Sequence, residues 1–189
     1  MQNRTPQRFF NVPNSISLFR ILLVPVFLYF ILKRNTGCAF AVFLGASLSD
    51  GLDGLAARLL NQKTKIGAIL DPAADKLAMT TAYIILSLPA VCSPNIIPIW
   101  LTAAVLGRDI LISGASLILF KVKGYKDFKP TLGGKISTIF QFLVVVFVLF
   151  FNLLEIRPSW LIILYIATMI LTVTTAVHYT QIGIRILKS

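Results

Sequence analysis

The sequence predicts an all-α integral membrane protein of six transmembrane helices, preceded by a short N-terminal juxtamembrane helix. Three observations lead there. Hydrophobic residues make up 57% of the 189-residue chain and charged residues 13%, with mean hydropathy +0.83, a balance too apolar for an ordinary water-soluble domain. Apolar stretches long enough to cross a hydrocarbon core of about 30 Å recur at about 14–32, 38–60, 67–88, 96–120, 134–154 and 159–184. Each is bounded by a short segment carrying Pro, Gly, Asn or charge. The expected organisation is a cytoplasmic juxtamembrane segment, 1–12, followed by one six-helix membrane domain, 13–189.

Residues 1–12 mix Arg4 and Arg8 with Phe9 and Phe10, which suits a helix lying among lipid headgroups. Pro13 opens the first span, which is too long for a removable signal and lacks a small-residue cleavage site, so it reads as an anchor. The breaks that follow are Lys33 to Gly37, Asn61 to Lys65, Pro89 to Pro98, Lys121 to Gly134 and Glu155 to Pro158. Orientation follows from the distribution of the 18 Lys and Arg residues. Arg4, Arg8, Arg58, Lys63, Lys65, Lys121, Lys123, Lys126, Lys129, Lys135, Arg185 and Lys188 fall on the side of the N-terminus. Only Lys33, Arg34 and Arg157 fall on the other, while Arg20, Lys76 and Arg108 lie within spans. Both termini and the basic loops are therefore expected in the cytoplasm. In this setting the net charge of +11 reports topology and attraction to anionic membrane lipid, and no nucleic-acid partner is expected. Cys38 and Cys92 lack metal-site or disulfide spacing and read as small buried residues.

The functional signal is acidic. Of seven Asp and Glu residues, Asp50, Asp53, Asp71 and Asp75 lie at the facing ends of the second and third spans. An ionised Asp at the centre of a membrane helix costs roughly 2.5–3.5 kcal/mol, so four need compensation. Asp50 and Asp53 are three apart and Asp71 and Asp75 four apart, so each pair shares a helical face. Carboxylates without His or thiolate are hard oxygen ligands, suited to Mg²⁺, Mn²⁺ or Ca²⁺. Two divalent ions would balance four charges and suit displacement at phosphorus. Gly51, Gly54, Ala56, Ala57 and Gly67 leave room beside the acids, and Arg58 offers a fork for phosphate. Plainer readings stand beside these: helix packing for the glycines, an interfacial anchor for Arg58, and salt bridges from the acids to Arg58, Lys76 and Arg108.

The run Asp50, Asp53-Gly54, Ala57-Arg58, Gly67, Asp71, Asp75 resembles, position for position, the signature of the CDP-alcohol phosphatidyltransferases. The six spans, the Pro13-Asn14 entry and Arg20 are similar to that family too. The resemblance implies a homodimer with a polar cavity open to the cytoplasm. It implies two divalent cations, Mg²⁺ or Mn²⁺, on Asp50, Asp53, Asp71 and Asp75. CDP would be held by Asp53, Gly54, Ala57, Arg58 and Gly67, with Asp75 as general base for attack of an acceptor hydroxyl on CDP-diacylglycerol. For the acceptor, Arg108 in the fourth span leads, with Lys135 and Lys129 completing a phosphate pocket. Glycerol 3-phosphate is the first expectation, and the phosphatidylglycerol of cardiolipin synthesis is the alternative. The latter draws on Arg108-Asp109, Lys129-Pro130-Thr131, Lys135, Thr138, Gln141 and His178-Tyr179, which are similar to the cardiolipin synthase branch; glycerol-phosphate transferases of the family usually show Arg-Glu in place of Arg108-Asp109. His178 itself reads as packed or interfacial. A reading from another class is a small divalent-cation channel or carrier, although no internal repeat of the transporter kind relates the two halves.

Overall fold

The computed structural model describes the backbone of residues 12–60, 67–123 and 131–188, and the side chains of residues 19–48, 74–117 and 131–186. Among the described residues there are six helices: α1 Val12–Leu32, α2 Thr36–Leu60, α3 Gly67–Leu86, α4 Ile99–Lys123, α5 Leu132–Leu153 and α6 Leu161–Lys188. There is no strand among the described residues. Each expected span has its helix, with ends moved by a few residues. The juxtamembrane helix expected at 1–12 lies outside the described residues, apart from Val12, which opens α1.

Three stretches are long and apolar enough to cross a membrane, Ile99–Leu117, Leu132–Leu153 and Leu161–Ile186, and two shorter apolar helical stretches, Phe19–Leu32 and Thr36–Leu48, stand among the described residues. At 1.5 Å per residue α5 is about 33 Å long, a fit to a hydrocarbon core of about 30 Å. Chain contacts divide the molecule into two compact units, Met1–Ile85 and Leu86–Ser189.

In the first unit α1 packs on α2. Phe27 and Ile31 on α1, and Ala39, Phe43 and Ala46 on α2, are buried, and their three- and four-residue spacing gathers them on one stripe per helix. The rings of Phe27 and Phe43 meet at 5.9 Å. The turn between these helices is closed by the backbone. Arg34 takes φ 56°, its N–H donates to Ile31 O at 2.9 Å, and the N–H of Asn35 donates to Phe30 O at 2.9 Å. This paired pattern satisfies the last carbonyls of α1. Asn35 then caps α2, its Oδ1 accepting from the N–H of Cys38 at 3.1 Å.

In the second unit α4 and α5 both pack on α6. The buried face of α5 runs Gly134, Ser137, Gln141, Val144, Val145, Val148, Leu149, Asn152. It faces a stripe on α6 that includes Tyr165, Thr168, Thr172 and Thr175. Small and hydroxyl-bearing residues let two helices approach closely in lipid. Gln141 Nε2 donates across this seam to Thr172 Oγ1 at 3.3 Å. The Thr168 and Thr175 hydroxyls turn back to the carbonyls of Leu164 and Leu171, so neither is left unpaired in an apolar setting. α4 opens at Ile99 rather than near 96 because Pro98 biases Ile97 away from helix, and the Pro98 carbonyl accepts the first helical N–H groups, from Leu101 at 3.0 Å and Thr102 at 3.2 Å.

The α3 to α4 connection is held by side chains. Asn152 Oδ1 accepts from Asn95 N at 2.6 Å and Asn95 Nδ2 at 3.0 Å, while Asn152 Nδ2 donates to Asn95 O at 2.8 Å and Cys92 Sγ at 2.9 Å. Asn95 Nδ2 also reaches Ile156 O at 2.7 Å, and the Tyr165 hydroxyl donates to Ile96 O at 3.1 Å. Cys92 is buried as expected, whereas Cys38 is only half-buried. Burial pushes the Cys92 thiol up to about 11, against smaller opposing effects of its hydrogen bonds from Asn152 and the Ser93 backbone. α5 ends as α1 does: Glu155 takes φ 56°, with Glu155 N donating to Asn152 O at 3.3 Å and Ile156 N to Phe151 O at 3.0 Å.

Candidate active site

The helical backbone of α2 runs unbroken through positions 50 and 53, and that of α3 through 71 and 75. The two acidic positions of each pair are therefore about one turn apart, separated along the axis by about 4.5 Å on α2 and about 6 Å on α3. Gly67 opens α3. Asp75 has a described side chain, and it is exposed, next to the fully buried Ala74. The side chains of Asp50, Asp53, Ala57, Arg58 and Asp71 lie outside the described residues, as do contacts of Gly54 and Gly67. Among the described side chains no three metal-ligating residues gather. The donor set itself fits divalent metal: oxygen-only ligands, paired at helical spacing on two continuous helices.

Arg20 is buried at 5% exposure. With Leu23, Val24, Phe27, Val42, Phe43, Ala46 and Ala78 it lines a crevice formed by α1, α2 and α3.

Arg108 sits within α4 with its side chain 11% exposed, and its Nη1 donates to Asp109 Oδ1 at 2.6 Å. Consecutive helical residues point apart, so the long arginine stem curls to reach its neighbour. This ion pair is local, between adjacent residues of α4. Arg108 Nε is buried with no hydrogen-bond partner among the described residues. A guanidinium offers five N–H donors in a fork, and Asp109 takes one of those on Nη1.

Lys135 is exposed in the first turn of α5, and its backbone N–H donates to Thr131 O at 3.1 Å. Thr131 caps the helix with extended backbone, φ −75° and ψ 155°, and its Oγ1 accepts from Gly134 N at 3.2 Å. Tyr179 of α6 bonds the same cap: the Thr131 N–H donates to its hydroxyl at 3.0 Å and Thr131 Oγ1 lies 3.1 Å from it. His178, exposed beside it, has its ring 6.4 Å from that of Tyr179. Lys129 lies outside the described residues. The tie from Tyr179 to the α5 cap is not foreseen by the sequence reading. Its trace in the sequence is the Gly133-Gly134 pair after Thr131, a sign that something approaches closely.

A family model described as CDP-alcohol phosphatidyltransferase matches residues 10–179. The chain belongs to this family. Among curated relatives, this CDP-alcohol phosphatidyltransferase is 35% identical over 179 residues to an Aquifex aeolicus protein named CDP-diacylglycerol--glycerol-3-phosphate 3-phosphatidyltransferase, covering 94% of this chain and 98% of that one. It is 38% identical over 141 residues to a Mycobacterium tuberculosis relative, covering 74% of this chain and 64% of the other. It is 37% identical over 137 residues to a Streptomyces coelicolor protein named cardiolipin synthase (CMP-forming), covering 69% and 61%. The chain thus spans less than two-thirds of the length of these last two relatives.

Proposed function

We propose that this protein transfers the phosphatidyl group of CDP-diacylglycerol to the hydroxyl of glycerol 3-phosphate, releasing CMP, as a step of phospholipid biosynthesis. The observation that carries this reading is the end-to-end match to the Aquifex glycerol-phosphate transferase, 98% of whose length is covered. The acidic spacing on α2 and α3 supports the reaction class.

In this reading Asp50, Asp53, Asp71 and Asp75 hold two divalent cations, Mg²⁺ or Mn²⁺. When bound, these ions supply charge stabilisation for the diphosphate and the leaving CMP. Asp53, Gly54, Ala57, Arg58 and Gly67 hold the CDP moiety, the small residues admitting it and Arg58 gripping phosphate. Arg108, Lys135 and Lys129 bind the acceptor phosphate. Asp75 takes the proton of the acceptor hydroxyl. The acceptor oxygen then bonds to the lipid-linked phosphorus, the bond from that phosphorus to the CMP oxygen breaks, and CMP leaves with the electron pair. No Ser, Cys or His lies within the motif, so direct displacement is favoured over a phosphatidyl-enzyme. All six helices span the membrane, both termini and the cavity mouth face the cytoplasm, residues 1–12 lie along the headgroups, and the enzyme is a homodimer.

A second reading, cardiolipin synthase acting on phosphatidylglycerol, draws on the Arg108-Asp109 pair and the Streptomyces relative's name. Purified protein given labelled CDP-diacylglycerol with each acceptor separates the two. Metal-dependent CMP release with glycerol 3-phosphate supports the first reading, and release with phosphatidylglycerol alone replaces it by the second. Cation flux into vesicles without CMP release overturns both.

A further inference from the structure

We propose that Tyr179 is a positioning residue for acceptor binding: its hydroxyl pins the first turn of α5 to α6 and so fixes where Lys135 stands. The proposal rests on the acceptor role given to Lys135 above.

Three contacts converge on the one hydroxyl. It accepts from the Thr131 N–H at 3.0 Å and bonds Thr131 Oγ1 at 3.1 Å, and it lies over Gly134 so closely that a Cβ there would be 2.8 Å from it. Gly134 is fitted to this hydroxyl, since any other residue would displace it. Thr131 is at once the α5 cap and the partner of Tyr179, holding the Gly134 N–H with the same oxygen. Its carbonyl accepts the Lys135 N–H at 3.1 Å, so a shift of Thr131 carries the Lys135 backbone with it. Lys135 is exposed and its four-carbon stem is flexible, so the placing of its ammonium depends on where its backbone is held. The next side-chain hydrogen bond across the α5–α6 seam among those described, Gln141 to Thr172, lies two helical turns away, leaving Tyr179 to hold the end. Tyr179 acts through Thr131 and Gly134 and touches no substrate.

The test uses the full chain in lipid nanodiscs. Tyr179→Phe removes only the hydroxyl. It should raise the KM for glycerol 3-phosphate about five- to tenfold, with kcat and the KM for CDP-diacylglycerol within about twofold, and speed amide exchange at Gly134 and Lys135. Gly134→Ala alone should act in the same direction. In the Tyr179→Phe background it should add less than it does alone, because the atom struck hardest is gone and only Thr131 Oγ1, at 3.3 Å, and the ring edge, at 3.4 Å, stay close. Unchanged exchange in Tyr179→Phe overturns the pin. Faster exchange with an unchanged acceptor KM, or an equal rise in both KM values, overturns the positioning role. Absence of CMP release from the unmutated protein with either acceptor removes the acceptor role of Lys135, and exchange alone then decides whether Tyr179 holds the turn.

Discussion

Asn152 on α5 and Arg108 on α4 are both polar side chains set into apolar helices of the same unit, and their surroundings are opposite. Asn152, 4% exposed, uses its acceptor oxygen twice and both amide hydrogens, on Asn95 and Cys92. Arg108 gives Nη1 to Asp109 and keeps Nε without a partner among the described residues. A buried polar group whose bonds are all made lowers the energy of the fold and has nothing left for a ligand. One with donors to spare costs stability until an anion arrives. The contrast separates a residue that holds a loop from one with donors to spare, the residue proposed to bind the acceptor phosphate.

The contrast can be broken by experiment. Asp75→Asn marks the far functional extreme: CMP release should fall by about 10³-fold or more while the melting temperature stays put, and near-normal turnover would remove Asp75 as the base. Arg108→Ala should lower kcat/KM with glycerol 3-phosphate by about 10²-fold, the value of a charge-assisted contact to phosphate, with unfolding little changed; equal rates would place it with Asn152 as structure. Asn152→Ala should do the reverse, destabilising the protein by about 2–3 kcal/mol in denaturant titration, since it takes away the partner of the Asn95 N–H and carbonyl, yet keeping the acceptor KM. The smallest signal is at Cys92. Burial disfavours its thiolate, so at pH 8 the thiol is protonated and should resist alkylation while the half-buried Cys38 reacts; with its thiol pushed up to about 11, labelling should accelerate only as pH climbs toward that value. Rapid labelling at pH 8 would mean that the Asn95–Asn152 network opens readily.

What could be read from the sequence was local. Runs of apolar residues between Pro, Gly and charged breaks gave each helix, because span length and helix breakers act within a few residues. The pairing of Asp50 with Asp53 and of Asp71 with Asp75 was legible for the same reason: three- and four-residue spacing needs only that α2 and α3 be continuous there. Asn152 was not legible, since an Asn near the end of an apolar run looks like a helix terminus, and its partners Cys92 and Asn95 lie 60 and 57 residues away. Tyr179 escaped likewise, its partner Thr131 being 48 residues off. The Arg108 to Asp109 pair was not legible either, because consecutive helical residues point apart and only a long side chain can curl back to its neighbour.

The turn at Arg34 has a consequence for how the protein is made. Lys33, Arg34 and Asn35 close the α1–α2 connection through bonds to Tyr29, Ile31, Phe30, Cys38 and Ala39, none more than five residues away. The turn itself is therefore built from near neighbours in sequence. As synthesis proceeds from the N-terminus, the bend between α1 and α2 can close on its own residues before α3 is made.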